Sequence, residues 1–200
     1  TSSTNSGGDI IIEGGDSTPL TGGAISVATG EGTATTSGAF VVRTVNAGTK
    51  GVSGMLAFIS GTTSSGTSGS ITMATGKAVN GKGGDILVSI GSGNAGNGGD
   101  ILLYSGEMSD KSGGSISLSS GYGSTTSSGV IVFQSVNAGN AGSSGMLAFK
   151  SGTTSSGASG SIAISTGVAT GGEGGDILVK VGTSSTNSGG DIIIEGGDST

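Results

Sequence analysis

A short pattern recurs along the whole chain at a nearly constant interval. Each occurrence has a glycine, one variable residue, an apolar residue, another variable residue and a second apolar residue. The step between marker glycines is 15 residues, except for 16 between Gly38 and Gly54 and between Gly129 and Gly145. The thirteen markers are Gly8, Gly23, Gly38, Gly54, Gly69, Gly84, Gly99, Gly114, Gly129, Gly145, Gly160, Gly175 and Gly190. A fixed period of this kind is typical of stacked repeat architectures.

A larger repeat of 91 residues contains six of these units. It carries Gly8 to Gly99 and Gly99 to Gly190, and the sequence GMLAF at 54–58 returns at 145–149. Residues 1–18 recur letter for letter at 183–200, an offset of 182 residues. We therefore expect residues 1–200 to form one continuous repeat array, a window of a longer tandem repeat, with 91-residue repeats at about 8–98 and 99–189.

The apolar positions predict short β-strands. The first, two residues after the marker, is always Ile, Leu or Phe, and the second, four residues after it, is always Ile, Val, Leu, Met or Phe. This alternation indicates strands with one buried face. Glycine usually returns seven residues after the marker, and the Ser, Thr and Gly that follow predict turns. The 46 glycines alone would suggest a disordered linker, but a linker has no reason to keep fixed apolar offsets.

These patterns predict an all-β fold, a β-solenoid of 15-residue strand–turn units without helices. Two strands per coil would let two apolar ladders face each other across a thin sandwich. That arrangement also separates Asp85 from Asp100, which would lie about 4.8 Å apart if consecutive units stacked directly. One strand per coil, with the apolar ladder covered by a partner chain, stays open as the alternative.

Composition excludes several function classes. The net charge of −6, with the seven basic residues scattered, argues against nucleic-acid or anionic-membrane binding. No apolar run approaches the roughly 20 residues needed to span a bilayer, so we expect no membrane insertion. Cysteine and histidine are absent, which removes most common routes to catalysis. We therefore expect no enzyme, no cofactor, and no catalytic, cofactor-binding or metal site residues.

Some binding roles stay open. Gly-Gly-Asp at 7–9, 83–85, 98–100, 174–176 and 189–191 resembles the calcium-binding repeat of β-roll proteins, but that motif has a nine-residue period. Calcium held by carboxylates such as Asp85 and Asp100, and glycans on the loops, are possible partners. Ice binding needs a threonine column, and the fifth position after the marker does not supply one: it reads Glu13, Ala28, Arg43, Ile59, Ala74, Ser89, Tyr104, Ser119, Gln134, Lys150, Ser165, Lys180 and Glu195.

Several phrases carry a resemblance to a known group. VNAG at 45–48 and 136–139, SGTTSSG at 60–66 and 151–157, SGMLAF and GGDILV resemble the Gly/Ser/Thr-rich tandem repeats of large extracellular surface proteins of diatoms and related algae. The resemblance implies a location outside the cell or at its surface, in a filament, flagellar hair or adhesive strand. We therefore expect a structural protein that forms the shaft of an extracellular filament, with further copies of itself or adjoining repeats as partners. An adhesin stalk, or an ice-binding or other ligand-binding solenoid module, is the alternative.

Overall fold

The computed structural model describes residues 7–198, and this part of the chain contains neither helices nor strands. The prediction of an all-β solenoid is therefore wrong, for two strands per coil and for one. A solenoid requires backbone hydrogen bonds between strands of successive coils. Within residues 7–198, every hydrogen bond between backbone groups instead lies inside a single loop. Nor does this range contain a helix that is long and apolar enough to cross a bilayer.

The chain does bend at the sequence period. Each stretch between two bends runs straight through a marker glycine and its two apolar positions, and we call these straight stretches the segments. Every bend falls in the Gly/Ser/Thr-rich stretch between two segments. The bends lie at 18–20, 33–35, 49–50, 64–66, 79–81, 94–96, 109–111, 124–126, 140–141, 155–157, 170–172 and 185–187. Their spacing includes the two longer steps of the sequence, so the 15-residue unit is a unit of backbone geometry.

Each bend belongs to a loop whose two ends meet. In four loops the N–H of the marker glycine donates to the carbonyl of the glycine eight residues earlier. These bonds are Gly23 to Gly15 at 2.8 Å, Gly38 to Gly30 at 3.1 Å, and Gly114 to Gly106 and Gly129 to Gly121, both at 2.9 Å. The last two repeat the first two at an offset of 91 residues. Short surface loops with adjoining ends are a common way to reverse a chain.

The same offset appears in finer detail. Gly66 and Gly157 have positive φ angles of 107° and 108°, a region that favours glycine. At Gly32 a Cβ atom would come within 2.5 Å of the Thr36 carbonyl oxygen, and at Gly123 within 2.5 Å of the Ser127 oxygen. The 91-residue repeat is therefore a repeat of loop conformation as well as of sequence.

The chain divides into two units, Thr1–Ile101 and Leu102–Thr200. The structure describes residues 7–101 of the first and 102–198 of the second. Each unit has the same composition of segments and closed loops. The division falls close to the start of the second 91-residue repeat. The expectation of one continuous array stays a prediction.

Neither unit has a hydrophobic core among the described residues, where no side chain is buried. The chain exposes 20,016 Å², whereas a compact monomer of 18.5 kDa exposes about 8,200 Å² by the usual scaling. The Ile, Val, Leu and Phe side chains that the pattern assigned to a core are thus in contact with water.

The physical reason lies in the loops and in the backbone. Each loop closes over eight residues within its own unit, so it does not carry a segment to a partner that could complete a backbone ladder. Glycine also loses more conformational entropy on ordering than any other residue, and the chain has 46 of them. Two apolar positions in a 15-residue unit offer little burial to offset that entropy.

We predict that Gly123→Ala opens the loop at 121–129. The added Cβ has no room beside the Ser127 carbonyl, so the Gly129 N–H should lose its bond to Gly121. Hydrogen exchange of the Gly129 amide, followed by NMR at low concentration, should then rise to the rate of an unstructured chain.

Gly121→Ala is the matched control, because a Cβ at Gly121 meets nothing within 4 Å. The Gly129 amide should keep its slow exchange in this variant. Equal exchange rates in the two variants would contradict the closed-loop geometry.

Candidate interaction surface

The unbroken apolar positions form the largest chemical feature of the described chain. We call the side chains two residues after each marker the first column and those four residues after it the second column. In the first column the exposed fraction runs from 45% at Ile131 to 64% at Phe40, apart from Ile10 near the start of the described range. Second-column side chains are also exposed, and none in either column is buried.

The residue between the columns points to a difference between the two sides of a segment. Where this residue is large and apolar it is 67% to 86% exposed, as at Leu102 and Leu87. The first column is thus the better covered side even in the isolated chain. Its residues follow directly on the marker glycine, and a Cβ at that glycine would lie 3.3 to 3.6 Å from the preceding loop's first side chain in most units, as at Gly38 and Gly69. Loop closure therefore holds the first column partly sheltered.

The loops hold their hydroxyl groups in local hydrogen bonds. The Thr63 Oγ1 donates to the Ser65 carbonyl at 3.0 Å and accepts from the Ser65 N–H at 3.3 Å. Thr154 and Ser156 repeat both bonds at the same distances. Such bonds stabilise turns. They place no base beside a hydroxyl, so these threonines have no means of becoming nucleophiles.

Two open concavities lie at equivalent places in the two units. The one in the second unit, of about 700 Å³, is lined by Leu103, Tyr104, Ser105, Gly106, Glu107, Met108, Gly113, Gly114 and Ile116. The one in the first unit, of about 680 Å³, is lined by Glu13, Gly14, Gly15 and Asp16. Tyr104 and Glu107 stand 91 residues after Glu13 and Asp16, so both concavities form where a segment enters a closed loop. Their linings differ in chemistry, and neither combines a nucleophile with a base.

Charge on the described surface is sparse and mostly acidic. One ion pair is found within residues 7–198: the Lys82 Nζ lies 2.9 Å from the Asp85 Oδ1. Both side chains are largely exposed, and such a pair contributes about 0 to 1 kcal/mol. No group of three or more His, Cys, Asp or Glu that could hold a metal ion occurs in this range. Calcium held between copies by Asp85 or Asp100 stays a prediction.

Sequence reasoning placed the bends correctly but missed how the loops close. The available signal was the pair of glycines that flank each loop, one seven residues after a marker and the next marker itself. We had interpreted them as corners between strands. In the structure the pair at Gly15 and Gly23 is instead joined by its own hydrogen bond.

The comparisons with known proteins bring no relative to this surface. No family model matches the chain, no curated protein matches it, and no solved structure matches it.

We predict that Thr63→Val loosens its loop at one identifiable amide. The variant removes the hydroxyl that accepts from the Ser65 N–H, and a single hydrogen bond contributes about 1 kcal/mol. The Ser65 amide should therefore exchange about fivefold faster in NMR measurements.

Two internal references accompany that measurement. Ser156 in the same molecule keeps its Thr154 partner, so its exchange rate should not change. Thr62→Val, which alters the neighbouring hydroxyl, should leave Ser65 as it is. A Ser65 rate that does not respond to Thr63→Val would refute the turn geometry.

Proposed function

We propose that this chain is a structural component of an extracellular filament, in which copies of the chain cover one another's apolar columns. The observation that supports the proposal is an unbroken set of apolar positions that remains exposed across the described residues. Surface apolar groups on this scale mark a site of association. The work of such a component is mechanical, and it involves no catalysis.

The amount of exposed surface supports association rather than a solitary chain. The excess over a compact monomer of this mass is about 11,800 Å². A specific protein–protein interface of standard size buries about 1,600 Å² in total. Several such interfaces therefore fit on one copy, and a protein with more than one self-complementary surface can extend without a closed end.

The repeat itself supports a filament over a discrete complex. Since every unit offers the same two columns and the same loop, one copy can contact others along its whole length. Repeats that contact only similar neighbours build quasi-one-dimensional assemblies. The extracellular location rests on the resemblance to the Gly/Ser/Thr-rich surface proteins of diatoms and related algae.

We expect a column valine to affect assembly far more than a loop valine. Val179 belongs to the second column, and Val168 lies in a loop with 98% of its surface exposed. Val179→Ser should raise the concentration at which sedimenting filaments form by about tenfold, because burying a valine is worth about 1.5 kcal/mol or more. Val168→Ser makes the same chemical change and should leave that concentration within twofold.

The readouts are analytical ultracentrifugation over a concentration series and negative-stain electron microscopy. A wild-type chain that stays monomeric at every concentration would refute the proposal. Equal effects of the two variants would show that the columns are not what the copies bury.

The location has its own test. Antibodies raised against the chain should label the surface of intact cells of the source organism without permeabilisation. Labelling that requires permeabilised cells would contradict an extracellular filament and leave the assembly result untouched.

A further inference from the structure

We infer that neighbouring copies associate side by side with a stagger of 91 residues, so that the first 91-residue repeat of one copy lies against the second repeat of the next. The inference rests on the proposed function, because it specifies the register of the same self-association. Three independent observations carry it: the positions of the longer steps, the recurrence of the loop geometry, and the distribution of charge.

The longer steps exclude shorter staggers. A shift of 15 residues aligns Gly8 with Gly23 and Gly23 with Gly38, but it then places Gly38 against Ser53 instead of the marker Gly54. In an alternating segment, an error of one residue turns every side chain to the wrong face. A shift of 91 residues places the step at 38–54 against the step at 129–145. It is the smallest shift that aligns all columns and all loops.

The loop geometry recurs at that same shift. The closing bonds of the loops at 15–23 and 30–38 return at 106–114 and 121–129. The positive φ angle of Gly66 returns at Gly157, and the hydrogen bonds of Thr63 return at Thr154. Staggered copies therefore present loops of matching conformation to each other, with no adjustment of the backbone required for their segments to lie alongside.

Charge separates the staggered register from the unshifted one. With no shift, each of the 7 basic and 13 acidic residues lies against its own copy, and every one of these contacts is repulsive. With the 91-residue stagger, most charged residues meet a neutral one, as Arg43 meets Gln134 and Lys77 meets Val168. The like-charged contacts that remain are Asp9 with Asp100, Asp16 with Glu107, Asp85 with Asp176, Asp100 with Asp191, and Glu107 with Asp198.

The stagger also creates one attractive contact, between Lys82 and Glu173. Lys82 is largely exposed and already lies beside Asp85 in its own chain, so a carboxylate from the next copy would approach a cation with unused donors. The backbone is available as well, since each backbone hydrogen bond of the described residues lies inside a loop and none lies in a segment. A second copy can therefore satisfy both the columns and the backbone of the segments.

Disulfide cross-linking measures the register, because the chain has no cysteine of its own. Ser53 and Ser144 are exposed residues 91 positions apart. We expect a mixture of the Ser53→Cys and Ser144→Cys variants, assembled and then oxidised, to form the mixed disulfide in preference to either symmetric one. Symmetric disulfides in each variant alone would establish the unshifted register and overturn the inference, while the proposed filament would stand.

Charge exchange provides the second measurement, on the same filaments. Lys82→Glu should raise the critical concentration about two- to fivefold, as the loss of an exposed pair predicts, and the double variant K82E/E173K should restore it. Lys77→Glu is the matched control, with the same change in net charge opposite Val168, and it should have the smaller effect. Equal effects of Lys77→Glu and Lys82→Glu, or no recovery in the double variant, would overturn the contact. Absence of assembly in the wild-type chain would overturn the proposed function and the register together.

Discussion

The loop closed by its two flanking glycines is the interaction on which the rest of the structure depends. A hydrogen bond such as that from the Gly23 N–H to the Gly15 carbonyl turns each Gly/Ser/Thr-rich stretch into a local unit. The segments that emerge from these loops are short and straight, and they meet no partner within their own unit. The apolar columns consequently stay in water, since a hydrophobic side chain is stabilised only when another surface removes that water.

How much of this could be read from the sequence depends on the range of the interaction. The bends were predictable, because glycine, serine and threonine favour turns through their own backbone and side-chain chemistry, as Thr63 does with Ser65. The strands were not, because a strand exists only through hydrogen bonds to a second strand. The alternation at Ile86 and Val88 states what such a pair would bury, and it does not state which chain supplies the partner.

The same distinction applies to the candidate surface. Both columns could be listed from the sequence, and all their members are exposed in the described range. The concavity at Tyr104 and Glu107 could not be foreseen, because it forms only when the loop at 106–114 closes. The register of copies was latent in the two longer steps, yet their meaning depends on the loops at Gly32 and Gly123 having the same conformation.

The longer steps at 38–54 and 129–145 also limit how such a protein can change in length. Duplication or loss of a single 15-residue unit would displace the longer step relative to that of a neighbouring copy and turn the columns beyond it out of alignment. Gain or loss of a whole 91-residue block preserves every alignment. Variation among molecules of this kind should therefore occur in quanta of six units, and the repetition of residues 1–18 at 183–200 is the trace that such block duplication leaves.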